Sequence, residues 1–477
     1  MGSKKKRRRQ AVVIIHGIGE QRPMTTLRGF VTSLLNYEKD NNKDKSEKRT
    51  FWTKPDRVSN SFEMRKISAK GRGNIRSTTH FYEYHWAANM RDTKWRHILK
   101  WFWDLMFRNP FDTPSYRLRF LWAFLWFVLI SWSIVTFFFL RNFLMGVPSP
   151  LSMLGVYEKV FLFLPFILFL LHNIFIGFIG DAARYLRVNV ENIHQREIIR
   201  KNGVELLKAL HKTGDYDRIV VVGHSLGSVI AYDIVSYLWI DFNKAINLNQ
   251  QEACVESADN NWSCSFGGVK YTSDELQEIT RWSRRENKDR YSKEEIEKFQ
   301  KAQSELWKKI QYERKSWLIS DLITIGSPLT HAKLLMADSL KDFYLRIDER
   351  EYPISPPLLD GDDLTYPSGS GNLYLHHATP FAVTRWSNIY YKGDFIGGRL
   401  AENFGPGIKD YQTNYSGGNF TKAISKLSPV SHIRYWINDY ENNSILDKKE
   451  FEAIETLYNS MRLNDLEHGM YPEEETS

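Results

Sequence analysis

Ser225 stands between two glycines in IVVVGHSLGSVIAYD, residues 219–233. A serine hydroxyl is a poor nucleophile at neutral pH. It needs a base for its proton and donors for the negative oxygen that its attack creates. The spacing Gly223-x-Ser225-x-Gly227 is a setting for that chemistry. Ile219, Val220, Val221 and Val222 are β-formers without alternation, the pattern of a strand buried on both faces. Beyond the serine, Val229, Ile230, Ile234 and Leu238 recur at helical spacing. The sequence therefore predicts strand, sharp turn and helix, with Ser225 at the turn. A β-carbon at Gly223 or Gly227 would collide where the two backbones meet. Free N–H groups at the start of the helix lie beside the serine oxygen. This is the pattern of a nucleophile elbow; the plainer reading is a turn serine that caps a helix.

The stretch GHSLGSVIAYD resembles the elbow of α/β-hydrolases of the lipase and esterase type. With Ser228 and the pair Tyr232–Asp233 it is similar to the elbows of intracellular phospholipases A1. That closer likeness is confined to the elbow; the wider hydrolase likeness runs from Ala11 to Trp436 across insertions. The resemblance implies a mainly parallel sheet with helices on both faces, the chain order serine, acid, histidine, and no metal or organic cofactor. AVVIIHGIGEQRP looks like the His-Gly loop that follows a central strand in lipases. There Gly17 lets the backbone turn so that the N–H of Ile18 faces the serine, with the N–H of Leu226 as second oxyanion donor. His16 is expected to order that loop by hydrogen bonds rather than to act in catalysis.

The acid is sought in RWSNIYYKGDFIGG, where a strand-like run ends in a polar turn carrying Asp394. The competing readings are a solvated turn for Asp394, and Asp348, Asp360, Asp362 or Asp363 as the acid, of which only Asp348 follows a strand-like run, FYLRI. Only His432 and His468 come after Asp394, and His468 lies in LEHGMYPEEETS, an acidic tail that reads as disordered. His432, in LSPVSHIRYWI, is thus the expected base, held by Asp394. His376 or His377 would serve instead if the acid were Asp348 or Asp363. LITIGSPL resembles the lipase strand that follows the elbow helix, with Ser327 as a turn residue rather than a second nucleophile.

Strand-like runs at 11–15, 79–86, 218–222, 320–325 and 384–391 alternate with helical patterns, as a mainly parallel sheet requires. The expected organisation is a basic tail at 1–10, hydrolase core at 11–90, an insertion at 91–187, core with the elbow at 188–242, a further insertion or cap at 243–317, core with acid and histidine at 318–461, and an acidic tail at 462–477. A helix is expected over 188–210. Residues 39–77 read as polar and loop-rich. The run SKEEIEKFQKAQSELWKKIQYERKSW reads as a charged helix with a thin apolar stripe, either a cap or a solvated surface helix.

The chain has 477 residues and a formal net charge of +9, most of it in the opening MGSKKKRRR, which leaves little support for nucleic-acid binding. Cys254 and Cys264 make no disulfide framework and have no metal-ligand spacing, and no secretory signal pattern is expected. Residues 121–140 and 160–180 carry no full charge and predict two transmembrane helices joined as a hairpin, long enough at about 1.5 Å per residue to cross a bilayer core of about 30 Å. His172 and Asn173 are expected to bond across that pair. Lys and Arg crowd 91–119, so both termini and the catalytic body are expected to be cytoplasmic. Residues 91–108 fit an amphipathic helix in the headgroup region. Together these features describe a membrane-anchored serine hydrolase of an acyl ester, with a lipid favoured by location and by the elbow. The opposing class is an inactive hydrolase fold that tethers membranes or binds proteins. Oligomeric state has no signature in the sequence.

Overall fold

Four consecutive apolar residues are needed in the elbow strand because both of its faces are covered. Val220 and Val222 belong to one buried cluster, and Ile219 and Val221 to the other. The strand to its left divides the same way, with Val12 and Ile14 on one side and Ala11, Val13 and Ile15 on the other. At about 1.5–3 kcal/mol for each buried aliphatic side chain, these central strands are the main apolar anchor of the sheet.

The computed structural model describes residues 9–18, 22–41, 51–59, 63–70, 78–89, 185–186, 190–249, 255–256, 262–263, 265–266, 269–270, 274–285, 290–314, 317–367, 373–394, 396–414, 432, 435–436 and 451–463, with scattered positions between 107 and 145. Eight strands form one sheet: β1 (Arg9–Ile15), β2 (Phe51–Pro55), β3 (Arg65–Lys70), β4 (Thr78–Tyr84), β5 (Arg218–His224), β6 (Ile319–Ile325), β7 (Arg385–Tyr391) and β8 (Lys409–Thr413). Their order is β8-β7-β6-β5-β1-β4-β3-β2. The run from β8 to β4 is parallel throughout, while β3 pairs antiparallel with both β4 and β2. The α/β class and the parallel sheet expected from sequence are therefore present.

Helices α1 (Thr25–Asn41) and α7 (Phe451–Met461) cover one face. The other face carries α2 (Val190–Lys212), α3 (Leu226–Asn249) and α5 (Lys293–Arg314), with α4 (Asp274–Arg284) against α5. A further helix, α6 (Leu340–Asp348), follows β6.

Three sequence expectations differ from what is observed. Residues 39–77 were expected to be loop-rich, yet they include β2 and β3. Alternation there is hidden because β2 is an edge strand exposed along its whole length and only Ile67, Ser68 and Ala69 of β3 are buried. The FYLRI run is helical, within α6, so no strand precedes Asp348. The charged helix of 293–314 is neither a cap nor a solvated helix. Phe299, Leu306, Trp307 and Ile310 are buried, and so are Gln300 and Gln303. Gln303 donates to the carbonyls of Phe381 and Thr384, and Gln300 to that of Trp386, where β7 begins.

The two-span membrane placement, with cytoplasmic termini and catalytic body, is corrected. Among the described residues no helix is long and apolar enough to cross a membrane. An uncharged run supplies the hydropathy of a span, but a span also needs a helix of about 20 apolar residues. Within 121–140 the described positions are helical, and Phe127, Ile130, Ile134 and Phe137 are exposed. Residues 160–180, with His172 and Asn173, lie outside the described residues, as does 91–108 apart from Phe107.

Candidate active site

Ser225 follows β5 and precedes α3, with a left-handed φ of 51°. A non-glycine residue in that region is strained, and here the neighbouring bonds hold it. Its N–H donates to the Ile325 carbonyl of β6, and its carbonyl accepts from the N–H of Ser228. The Ser228 hydroxyl donates to the same carbonyl at 2.5 Å and lies 2.6 Å from the hydroxyl of Ser327, which in turn accepts from the N–H of Leu329. Ser327 thus belongs to the turn after β6 and braces the elbow.

The close approach that calls for Gly227 is direct: a β-carbon there would meet the carbonyl oxygens of Ile15 and His16. Gly223 faces the backbone of Gly227 and Ser228 across the turn. Gly17 stands against Ser225, since a β-carbon on it would lie 2.9 Å from the Ser225 β-carbon. This brings the loop carrying Ile18 beside Ser225, while Leu226 opens α3 and is fully buried. His16 takes a structural place. Its Nδ1–H donates to the Gly17 carbonyl and its own carbonyl accepts from Trp86 Nε1, on which its ring stacks. Burial pushes its pKa down to about 3, and the neighbouring His85 and His224 add to the shift against one backbone bond, so the ring is neutral.

The expected base and acid meet the serine. His432 Nε2 is 2.7 Å from Ser225 Oγ, and His432 Nδ1 is 2.8 Å from Asp394 Oδ2. A carboxylate can only accept, so Nδ1 carries the ring proton and Nε2 presents a lone pair to the serine hydroxyl. All three residues are buried. Asp394 sits just past β7 in a turn closed by its N–H on the Tyr391 carbonyl, and its Oδ1 accepts from the N–H of Ile396. Burial alone would raise its pKa, but the charge and hydrogen bond of His432, with backbone donors, hold it down to about 2. Asp394 is therefore ionised at neutral pH.

One member of the site has no counterpart in the sequence reading. Tyr435 donates its hydroxyl to Asp394 Oδ2 at 2.8 Å, the oxygen that also receives His432, and accepts from the N–H of Tyr391. Its only sequence signal is its place three residues after the histidine. Gly326, with φ 55°, makes room for this group. A side chain there would come within 2.8 Å of the Tyr435 ring and 3.1 Å of both Asp394 Oδ2 and His432 Cε1.

The competing acids and bases lie elsewhere. His376 Nε2 donates to the Leu358 carbonyl and its Nδ1 accepts from the N–H of Ala378. Asp360 pairs with Arg350, and Asp363 accepts from its neighbour Leu364 in the same turn. His468 lies outside the described residues. Of the phospholipase-like positions, Tyr232 donates to the Pro353 carbonyl, and Asp233 accepts from Tyr185 and Arg200. Both fasten the elbow helix to its surroundings. No group of His, Cys, Asp and Glu among the described residues is arranged to hold a metal ion.

The arrangement can move a proton from a serine hydroxyl to an imidazole whose far side is fixed by a carboxylate. Comparison of the chain with family models, with curated proteins and with solved structures found no match to any of them.

Proposed function

We propose that the chain is a serine hydrolase of the α/β-hydrolase type that cleaves an acyl ester. The observation that carries this reading is the unbroken relay Ser225 Oγ, His432 Nε2, His432 Nδ1, Asp394 Oδ2, with links of 2.7 and 2.8 Å. It starts at a strained residue between strand and helix. The chain order serine, acid, histidine and the loop of Gly17 beside the serine agree with the hydrolase resemblance.

In this mechanism Ser225 Oγ attacks the ester carbonyl carbon as its proton passes to His432 Nε2. Asp394 accepts from Nδ1–H throughout and stabilises the imidazolium. The N–H groups of Ile18 and Leu226 hold the oxyanion. Collapse breaks the bond to the leaving oxygen, which takes the proton from Nε2 and departs as an alcohol. Water then enters, gives its proton to Nε2 and attacks the acyl-serine. Collapse of that intermediate releases the acid and returns the proton to Ser225. A lipid ester remains one member of the substrate class, supported by the elbow likeness and no longer by a membrane position.

A fluorophosphonate probe tests this reading. Purified protein should be labelled at Ser225, and Ser225→Ala should lose labelling and turnover of p-nitrophenyl esters by about 10⁶-fold while melting as the parent does. A folded protein that takes no label would instead identify a hydrolase fold used for binding.

A further inference from the structure

His224 comes directly before the nucleophile and takes no part in the relay, yet it reaches the loop of the base. Its Nε2 lies 2.9 Å from the main-chain carbonyl of His432. A ring nitrogen facing a carbonyl must donate, which fixes His224 as the Nε2–H tautomer. Its ring stacks on that of His432, with centroids 5.3 Å apart and planes 27° apart. It also meets Trp436 and Tyr435 edge-on, at 4.9 and 5.7 Å. On the far side Gly17 leaves room for its Nδ1, which is 3.1 Å from where a β-carbon of that glycine would stand.

Burial lowers the His224 pKa to about 3, and the charge of His432 adds to this against the backbone bond. The ring therefore stays neutral while its neighbour gains and loses a proton.

His432 is 207 residues from Ser225 in the chain, so no local geometry sets their separation. Asp394 and Ser225 both bind the ring of His432; neither holds its backbone. The His224 bond does, and it comes from the residue next to the nucleophile. Relying on the hydrolase reading above, we infer that His224 is a positioning residue that sets the reach of His432 to Ser225 by gripping the base's main chain. A ring that merely filled space there would need no donor.

Two full-length variants separate the donor from the ring. His224→Phe keeps an aromatic ring and loses the donor; His224→Gln keeps an N–H at the reach of Nε2. Displacing a catalytic group by about 1 Å costs on the order of 100-fold, so fluorophosphonate labelling of His224→Phe should slow by about 10- to 100-fold. His224→Gln should stay within about threefold of the parent, the scale of a retained neutral hydrogen bond. A His224→Phe rate equal to the parent's overturns the role, and so does a His224→Gln rate as slow as that of His224→Phe. Nitrogen-15 spectra of the parent need no variant to fold: the Nε2–H tautomer at His224 is expected across neutral pH, and the Nδ1–H tautomer overturns the role. Parent protein that takes no label despite the Nε2–H tautomer overturns the hydrolase reading and the positioning role together. Labelled parent with an unaffected His224→Phe overturns the positioning role alone.

Discussion

The two ends of β5, β6 and β7 carry two buried polar networks built from similar parts. At the ends of these strands stand Ser225, Gly326 and Asp394, with His432 between serine and acid. At their beginnings stand Arg218, Asp321 and Arg385. Asp321 receives two bonds from Arg385, at 2.8 and 2.9 Å, and one from Arg218 at 2.6 Å. Arg218 goes on to the Ser320 hydroxyl and to the carbonyls of Met461 and Arg462 at the end of α7. Both networks hold an aspartate ionised against burial, Asp321 well below the usual carboxylate range and Asp394 at about 2. The difference lies in the cation. An arginine cannot surrender its proton in a protein, so Asp321 is locked. A histidine can, and its second nitrogen is turned to a serine, so Asp394 supports a change of state. On the proposed function, the same carboxylate is structural at one end and mechanistic at the other.

One substitution made at both ends should break this comparison if it is wrong. Asp394→Asn should lower melting less than Asp321→Asn does and lower kcat by about 10⁴-fold, because an amide can present the wrong group to Nδ1; steady-state ester hydrolysis measures it. Asp321→Asn should do the reverse. It leaves two buried guanidinium groups without their anion and should lower stability by about 3–5 kcal/mol in denaturant titrations. The labelling rate per folded molecule should be retained. Equal effects of the two substitutions on both readouts would erase the distinction.

Tyr435→Phe sharpens it. Removing one hydrogen bond to a charged oxygen should slow turnover by about tenfold, with Asp394 still ionised through His432. The smallest effect concerns Glu83, another buried carboxylate, which pairs with no cation among the described residues. It accepts from the N–H of Met24, and burial raises its pKa from 4.5 to about 7 against those backbone bonds. The native state therefore binds the extra proton, and the stability it contributes falls as pH rises from 4.5 through 7. Glu83→Gln should flatten that slope in melting curves taken across pH. Asp394 acts with the opposite sign: its contribution is whole above 3.8 and is lost as pH falls through about 2.

The site end of the sheet was far more legible in the sequence than the other end. An elbow is a local event, and the β-run, the paired glycines and the helical spacing that define it lie within residues 219–238. His432 and Asp394 were expected from chain order together with the strand-like run and polar turn around Asp394, with Asp348, Asp360, Asp362, Asp363, His376 and His377 as competing readings. Arg218, Asp321 and Arg385 are each a single charged residue where a strand begins, indistinguishable from solvated boundary residues until three parallel strands set them side by side. Tyr435 was hidden for a similar reason, since its partner Asp394 is 41 residues away. The strands β2 and β3 escaped because an exposed edge leaves no burial pattern to read. The apolar run at 121–140 gave a span by hydropathy alone, and among the described residues no helix is long and apolar enough to cross a membrane.

The grip of Arg218 on α7 has a consequence for how the protein is made. On the proposed mechanism, a growing chain carries its nucleophile 207 residues ahead of its base. At synthesis rates of about 5–20 residues per second that gap lasts on the order of 10–40 s. The last turn of α7, which Arg218 must close over, leaves the ribosome later still. On that mechanism, polypeptides that end before residue 432 lack the base and are expected to be silent toward esters.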